Sequence, residues 1–186
     1  MKYMQNGGFQ NNPLMRLTLY FTIFFLFGFW LTNFAMYFAK MGFDPGSVAS
    51  YYLGSEEEFR QPRTYQSMLE VTHGHLPMMA IVILMLTHLM IFTPFQKATK
   101  IGIISMAFLS AFMNEAASWL TRFVHPGFAW LKIISFSLFQ ALLALLMISL
   151  AIMLIKARQR ANPKPAVFNN HSVRSTSIPQ EEAVAD

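Results

Sequence analysis

Glu70, His73, His75, His88, Glu115, Arg122 and His125 are the side chains of this sequence best suited to proton, metal or redox chemistry. All lie in or beside strongly apolar segments. Four of them fall in one stretch, residues 69–92, LEVTHGHLPMMAIVILMLTHLMIF. Histidine titrates near neutral pH, and an apolar setting raises a carboxyl group toward the same range. Such a set can pass protons, ligate a metal or hold the head group of a redox carrier. An ionisable side chain at membrane depth is costly, so it is usually kept for a function.

On a helix over 69–92, Glu70 and His73 are three residues apart and share a face. His88 lies fifteen residues beyond His73, roughly 60° around and about 22 Å along the axis. His75 points about 200° away from His73 in a regular helix. Pro77 cannot donate to the His73 carbonyl, and its ring clashes there. Unwinding around Gly74 is therefore expected to bring His73 and His75 to one centre. A later segment adds Asn114, Glu115 and Trp119, with Arg122 and His125 at its end. Glu70 and Glu115 are the expected proton-handling carboxylates. His73, His75, His88, His125 and Arg122 are the expected cofactor-binding residues, and His73, His75 and His125 the expected metal ligands. Thr87 accompanies His88 at the opposite end.

Four apolar runs must position these groups. The 186 residues are 54% hydrophobic and 12% charged, with mean hydropathy +0.39. Soluble domains carry about 25% charged residues. Spans are expected over 14–39, 65–92, 98–123 and 128–155, each near the roughly 20 residues that cross a bilayer. A backbone in hydrocarbon must satisfy its own hydrogen bonds, so the spans are helices. The expected fold is an all-α integral membrane four-helix bundle over 14–160. A polar segment, 1–13, precedes it, and a disordered tail, 161–186, follows. The apolar run after Arg16 is long and aromatic, and reads as a retained first span rather than a cleaved signal. Residues 40–63 form the longest connection, with Asp44-Pro45-Gly46 and Gly54-Ser55 as turn signals and Glu56-Glu57-Glu58 as a solvated surface. Thr93-Pro94 ends the second span, and His125-Pro126-Gly127 turns tightly between the third and fourth.

Nine Lys and Arg fall on the side of the termini and five, including Lys132, on the other, which orients the bundle with both termini inside. The net charge of +5 sits at membrane borders, so it reflects topology and not nucleic-acid binding. The absence of cysteine excludes disulfides, iron–sulfur clusters, thiolate zinc and covalent c-type haem within this chain. The fourteen Met fit packing and lipid contact.

With His73 or His75 and His88 on one span, the sequence resembles the small membrane cytochrome b-type subunits of bacterial respiratory complexes. The resemblance implies haem b held by axial His, and an electron path between a quinol and an outer redox partner. It also implies a bacterial cytoplasmic (inner) membrane, with other membrane or periplasmic redox subunits beside the lipid bilayer as partners. The sequence departs from that pattern, because spans one, three and four carry no His at membrane depth. One haem would need His125 opposite His73 or His75, and a second at His88 would need a Met or another chain. Without haem, Glu70, His73, Glu115 and Arg122 could hold a quinone or quinol head group. Two further classes stand beside these: a His/Glu metal-binding membrane protein, and a non-catalytic accessory or anchoring subunit that docks a partner through residues 40–63.

Overall fold

Three of the helices start where the sequence supplies a side-chain cap. Asn12 accepts from the Leu14 N–H at 2.9 Å and the Met15 N–H at 3.5 Å, and Pro13 occupies the first turn, where its missing N–H costs nothing. This begins α1, Pro13–Phe38. Asp44 accepts from the Ser47 N–H at 2.9 Å ahead of Pro45 and starts α2, Pro45–Leu53. Thr64 accepts from the Ser67 N–H at 3.2 Å and starts α3, Tyr65–Met90. α4 is Lys97–Phe123, a 3-10 turn covers Pro126–Phe128, and α5 is Ala129–Ala161.

The computed structural model describes residues 12–161. Expectations for the polar segment up to residue 11 and for the tail beyond 161 lie outside the described residues. Within them, four helices are long and apolar enough to cross a membrane, and the fold is an all-α membrane bundle.

The largest helix pairing is α4 on α5. Ala107, Ser110, Ala111, Ala117 and Ser118 of α4 are buried. Small residues let helix backbones approach closely where no hydrophobic effect drives association. Phe139, Leu143, Leu146 and Leu150 of α5 fill the centre with Ile83 and Leu86 of α3. Among the described helices, the α1 backbone comes close to α5 alone, while its Tyr37 side chain joins the cluster under α2. Leu17, Phe21, Phe24 and Phe25 of α1 are exposed outward, as lipid-facing side chains must be.

Two parts differ from the expectation. Residues 40–63 are not a simple connection, because α2 folds over one end of the bundle. Val48 and Tyr52 are buried there with Tyr37, Met68 and Ile133. The Asp-Pro pair that signals a turn also caps a helix, and here the apolar Val48 and Tyr52 gave α2 a surface to cover. Gly54 ends α2 at φ 88°, and a Cβ there would lie 2.7 Å from the Arg60 carbonyl oxygen. Only glycine meets both demands easily. Glu56, Glu57 and Glu58 form the exposed tip of the following turn. The expected unwinding at Gly74 also does not occur. α3 is one continuous helix through Pro77, so His73 and His75 stay on diverging faces.

Candidate functional site

The α2 half of the bundle gathers most of the buried polar residues, including both buried charges, Glu115 and Lys132. Glu115, two turns inside the end of α4, is 6% exposed. Its Oε1 accepts a short hydrogen bond from Thr72 Oγ1, and its Oε2 lies 3.4 Å from His75 Nδ1. Trp119 Nε1 donates to Thr72 Oγ1 at 2.8 Å, so α3 and α4 are tied through this carboxylate. His75 is 60% exposed in its side chain, so it joins a buried acid to the open side.

Lys132, the fourth residue of α5, is the second buried charge, at 7% exposed. The sequence places it near a helix start, where a lysine normally snorkels to the interface. Instead its Nζ turns inward and donates to the Asn114 carbonyl oxygen at 3.0 Å. It lies within electrostatic range of Glu115, although the two are too far apart for an ion pair. The count of Lys132 among outer-loop cations is thereby corrected. Asn114 O also accepts from Ser118 Oγ at 3.3 Å, and Ser118 Oγ accepts from the Tyr52 hydroxyl at 2.9 Å. Burial pushes the Tyr52 hydroxyl well above the ordinary tyrosine range, and the Ser118 hydrogen bond opposes this in part.

These groups line one cavity of about 570 Å³. Asn33, Met36 and Tyr37 of α1 face it, as do Met68, Val71, His75 and Met78 of α3. Asn114, Glu115 and Ser118 of α4 and Lys132, Phe136 and Gln140 of α5 close its far side. The backbones of α1 and α3 are not in close contact, and both helices wall the cavity, with Tyr51, Tyr52 and Arg63 at its α2 end. Its size and its apolar walls with a few convergent polar groups are those of small-molecule sites. Glu115 also borders an apolar hollow on its other side, with Leu76, Phe112 and Trp119.

The remaining sequence-expected residues do not join this centre. Glu70 is exposed and accepts from Gln66 Nε2 at 3.0 Å. His73 and His88 are exposed on α3, and His88 packs edge-on against Phe92 at the opposite end. Arg122 Nε donates to the Arg63 carbonyl oxygen at 2.7 Å, which fastens α4 to the loop before α3. His125 Nδ1 accepts from the Gly127 N–H at 2.9 Å within its own turn. That acceptance puts the neutral ring's proton on Nε2, the nitrogen a metal would need. His88 is thirteen residues from His75, about 20 Å along α3. His75 and His88 therefore do not share one centre. His73, His75 and His125 are not brought into one group, and no three His, Asp or Glu among the described residues gather to hold a metal. Thr72, Lys132 and Gln140 were not singled out by the sequence as site residues. Lys132 and Gln140 carried one usable signal, polarity inside an otherwise apolar run.

A bundle of membrane-crossing helices around such a cavity is a helical integral membrane protein. The family model Aq_1264_TM, described as a transmembrane helical domain, matches residues 42–161, and the chain belongs to that family. The matched segment holds α2 to α5 and leaves out α1, which supplies one lip of the cavity. No curated protein and no solved structure matches the chain.

Proposed function

We propose that the protein is a quinol-binding membrane subunit of an electron-transfer assembly. The observation that carries this reading is the cavity walled by α1 and α3, apolar over most of its lining and bearing Glu115, His75 and Lys132. A carrier with a lipid-soluble tail enters sideways, its ring against Phe136, Met68 and Met78 and its oxygens toward the charged end. Oxidation of a quinol breaks two O–H bonds and releases two protons and two electrons. Glu115 and His75 are placed to take the protons, and exposed His75 hands them to the open side. The electrons pass to a redox centre of a partner subunit. With both termini inside, the cavity end faces the outer side of a bacterial cytoplasmic membrane, so the protons leave there.

The test is binding of a short-chain benzoquinol to the protein in lipid nanodiscs, read by tryptophan fluorescence. Saturable binding that Glu115→Gln and His75→Ala weaken supports the reading. Absence of binding by both quinol and quinone overturns it.

One observation favours a second reading, an anchoring subunit. The α1 backbone comes close to α5 alone, and its exposed Leu17, Phe21, Phe24 and Phe25 could receive a partner's membrane helix. Co-purification of an intact partner that is lost when α1 is deleted, with no quinol binding, would select that reading.

A further inference from the structure

The cavity lining carries three cations, Lys40, Arg63 and Lys132, and one carboxylate, Glu115. Lys132 is buried within electrostatic range of Glu115, so those two charges offset each other. Lys40 and Arg63 are left over, and among the described residues neither forms an ion pair. Arg63 is held from three directions. Its backbone N–H donates to the Tyr52 carbonyl oxygen at 3.0 Å, and its own carbonyl oxygen accepts from Arg122 Nε at 2.7 Å. Its guanidinium lies over the Tyr51 ring, 4.3 Å from the centroid. That ring packs edge-on against Tyr52, whose hydroxyl donates to Ser118 Oγ inside the bundle. Stacking takes up the face of a guanidinium and leaves its edge, a fork of N–H donors, unspent. Lys40 belongs to the same corner. Its carbonyl oxygen accepts from Arg60 Nη1 at 3.5 Å, and Arg60, itself paired with Glu58, also flanks the Tyr51 ring.

Exposure falls from this corner inward. Lys40 is exposed, and Arg63 and Tyr51 are half-buried, whereas Phe136 and Phe139 further along the lining are buried. The complement of such a surface is a molecule with an anionic head and an apolar body. A carboxylate meets the arginine fork with two parallel N–H···O bonds, and a lysine beside it adds charge. A neutral head would leave both cations unmatched. The volume of about 570 Å³ is that of a site enclosing one small molecule, which favours a single-chain acid over a two-chain phospholipid. We infer that the cavity binds a lipid-soluble carboxylic acid of the long-chain fatty acid class. Its head lies at Lys40 and Arg63 and its chain against Met68, Met79, Phe136 and Phe139. The inference needs only the cavity and its two rim cations, and so goes beyond the quinol reading without resting on it. Because chain and quinol ring draw on the same wall, the acid would also exclude the quinol.

The probe is stearic acid brominated in mid-chain, whose bromines quench tryptophan fluorescence on contact. It is titrated into the full-length protein in phosphatidylcholine nanodiscs, at a pH where the acid is ionised. Trp30, whose Nε1 donates to the Gln140 carbonyl oxygen at the cavity wall, reports the chain. The saturable quenching that unbrominated stearate displaces measures the site. The native protein should bind the acid on the order of tenfold more tightly than its methyl ester. Lys40→Gln and Arg63→Gln should each weaken the acid and together bring it to the level of the ester, with the ester unchanged. Lys40 is exposed, so Lys40→Gln keeps the test open if Arg63→Gln does not fold. Lys97→Gln, at the start of α4, should leave binding as it is. Equal affinity for acid and ester, or no saturable quenching, overturns the inference. So does an equal loss in Lys97→Gln, which would show general charge attraction. Displacement by inorganic phosphate would mean that the corner takes a bare anion, and overturns a site for an acid with a chain. Quinol binding is read with no acid present, so none of these outcomes decides it.

Discussion

Lys132 Nζ reaches back into the bundle to the carbonyl oxygen of Asn114, 3.0 Å away, and so places a cation one residue from the buried carboxylate of Glu115. The two charges do not pair directly with each other, and Glu115 Oε2 has His75 Nδ1 3.4 Å away. The cavity therefore holds an acid and a base that a ligand can engage separately.

Removing the cation exposes this dependence. Lys132→Met should lower the unfolding temperature in detergent, because Glu115 loses an opposite charge within electrostatic range. The double variant Lys132→Met with Glu115→Gln should recover part of the loss. The coupling in that double-mutant cycle should be about 1–3 kcal/mol. Additive losses would mean that the two residues act independently.

Tyr52 is predicted to make the high-pH limb of the stability curve. Its folded-state pKa lies above the ordinary tyrosine range, because burial disfavours the phenolate. The neutral hydroxyl thus contributes fully below about pH 10, and the contribution fades as the pH rises from there through the folded pKa. Tyr52→Phe should flatten this fall. At neutral pH it should cost about 1 kcal/mol, the worth of the hydrogen bond to Ser118. Chemical denaturation at a series of pH values reads both effects, and an unchanged alkaline limb in Tyr52→Phe would refute the assignment.

The four spans were legible because each apolar run exceeds what a bilayer needs, and Pro13, Thr64 and Pro94 mark boundaries that any sequence would obey. The helix α2 was hidden because Asp44-Pro45-Gly46 reads equally as a turn and as a helix start, and only Val48 and Tyr52 finding a surface decides between them. Glu115 was legible as a carboxylate in an apolar run. Its partner among the histidines was not. His73 and His75 differ by about 200° around α3, and which one meets α4 depends on how the two helices are rotated against each other. Lys132 was misplaced for a related reason, since a lysine near a helix start can turn outward or inward with the same spacing.

The histidines should separate cleanly in function. His75→Ala should weaken quinol binding, whereas His73→Ala and His88→Ala should leave it unchanged, because only His75 contacts Glu115. Isothermal titration of the three variants checks this. Equal loss in His73→Ala would show that the open side of α3 matters as a whole.

Gly54→Ala should loosen the α2 cap. The new Cβ would meet the Arg60 carbonyl oxygen at 2.7 Å and Pro62 at 2.9 Å, at a backbone φ of 88°. A cost of about 1–3 kcal/mol is expected. Limited proteolysis within residues 54–63 should accelerate relative to the native protein, and an unchanged cleavage rate would contradict the tight turn.

The cavity itself is tested most directly by photo-crosslinking. An azido-substituted quinol is irradiated with the protein in native-composition lipid, and the labelled peptides are mapped. Label is expected on Met36 of α1 and on Val71 and Met78 of α3, and an excess of unlabelled quinol should compete it away. Label confined to the outward faces of α1 and α4, at Phe24, Phe25 or Leu109, and insensitive to competitor, would contradict a quinol site between α1 and α3.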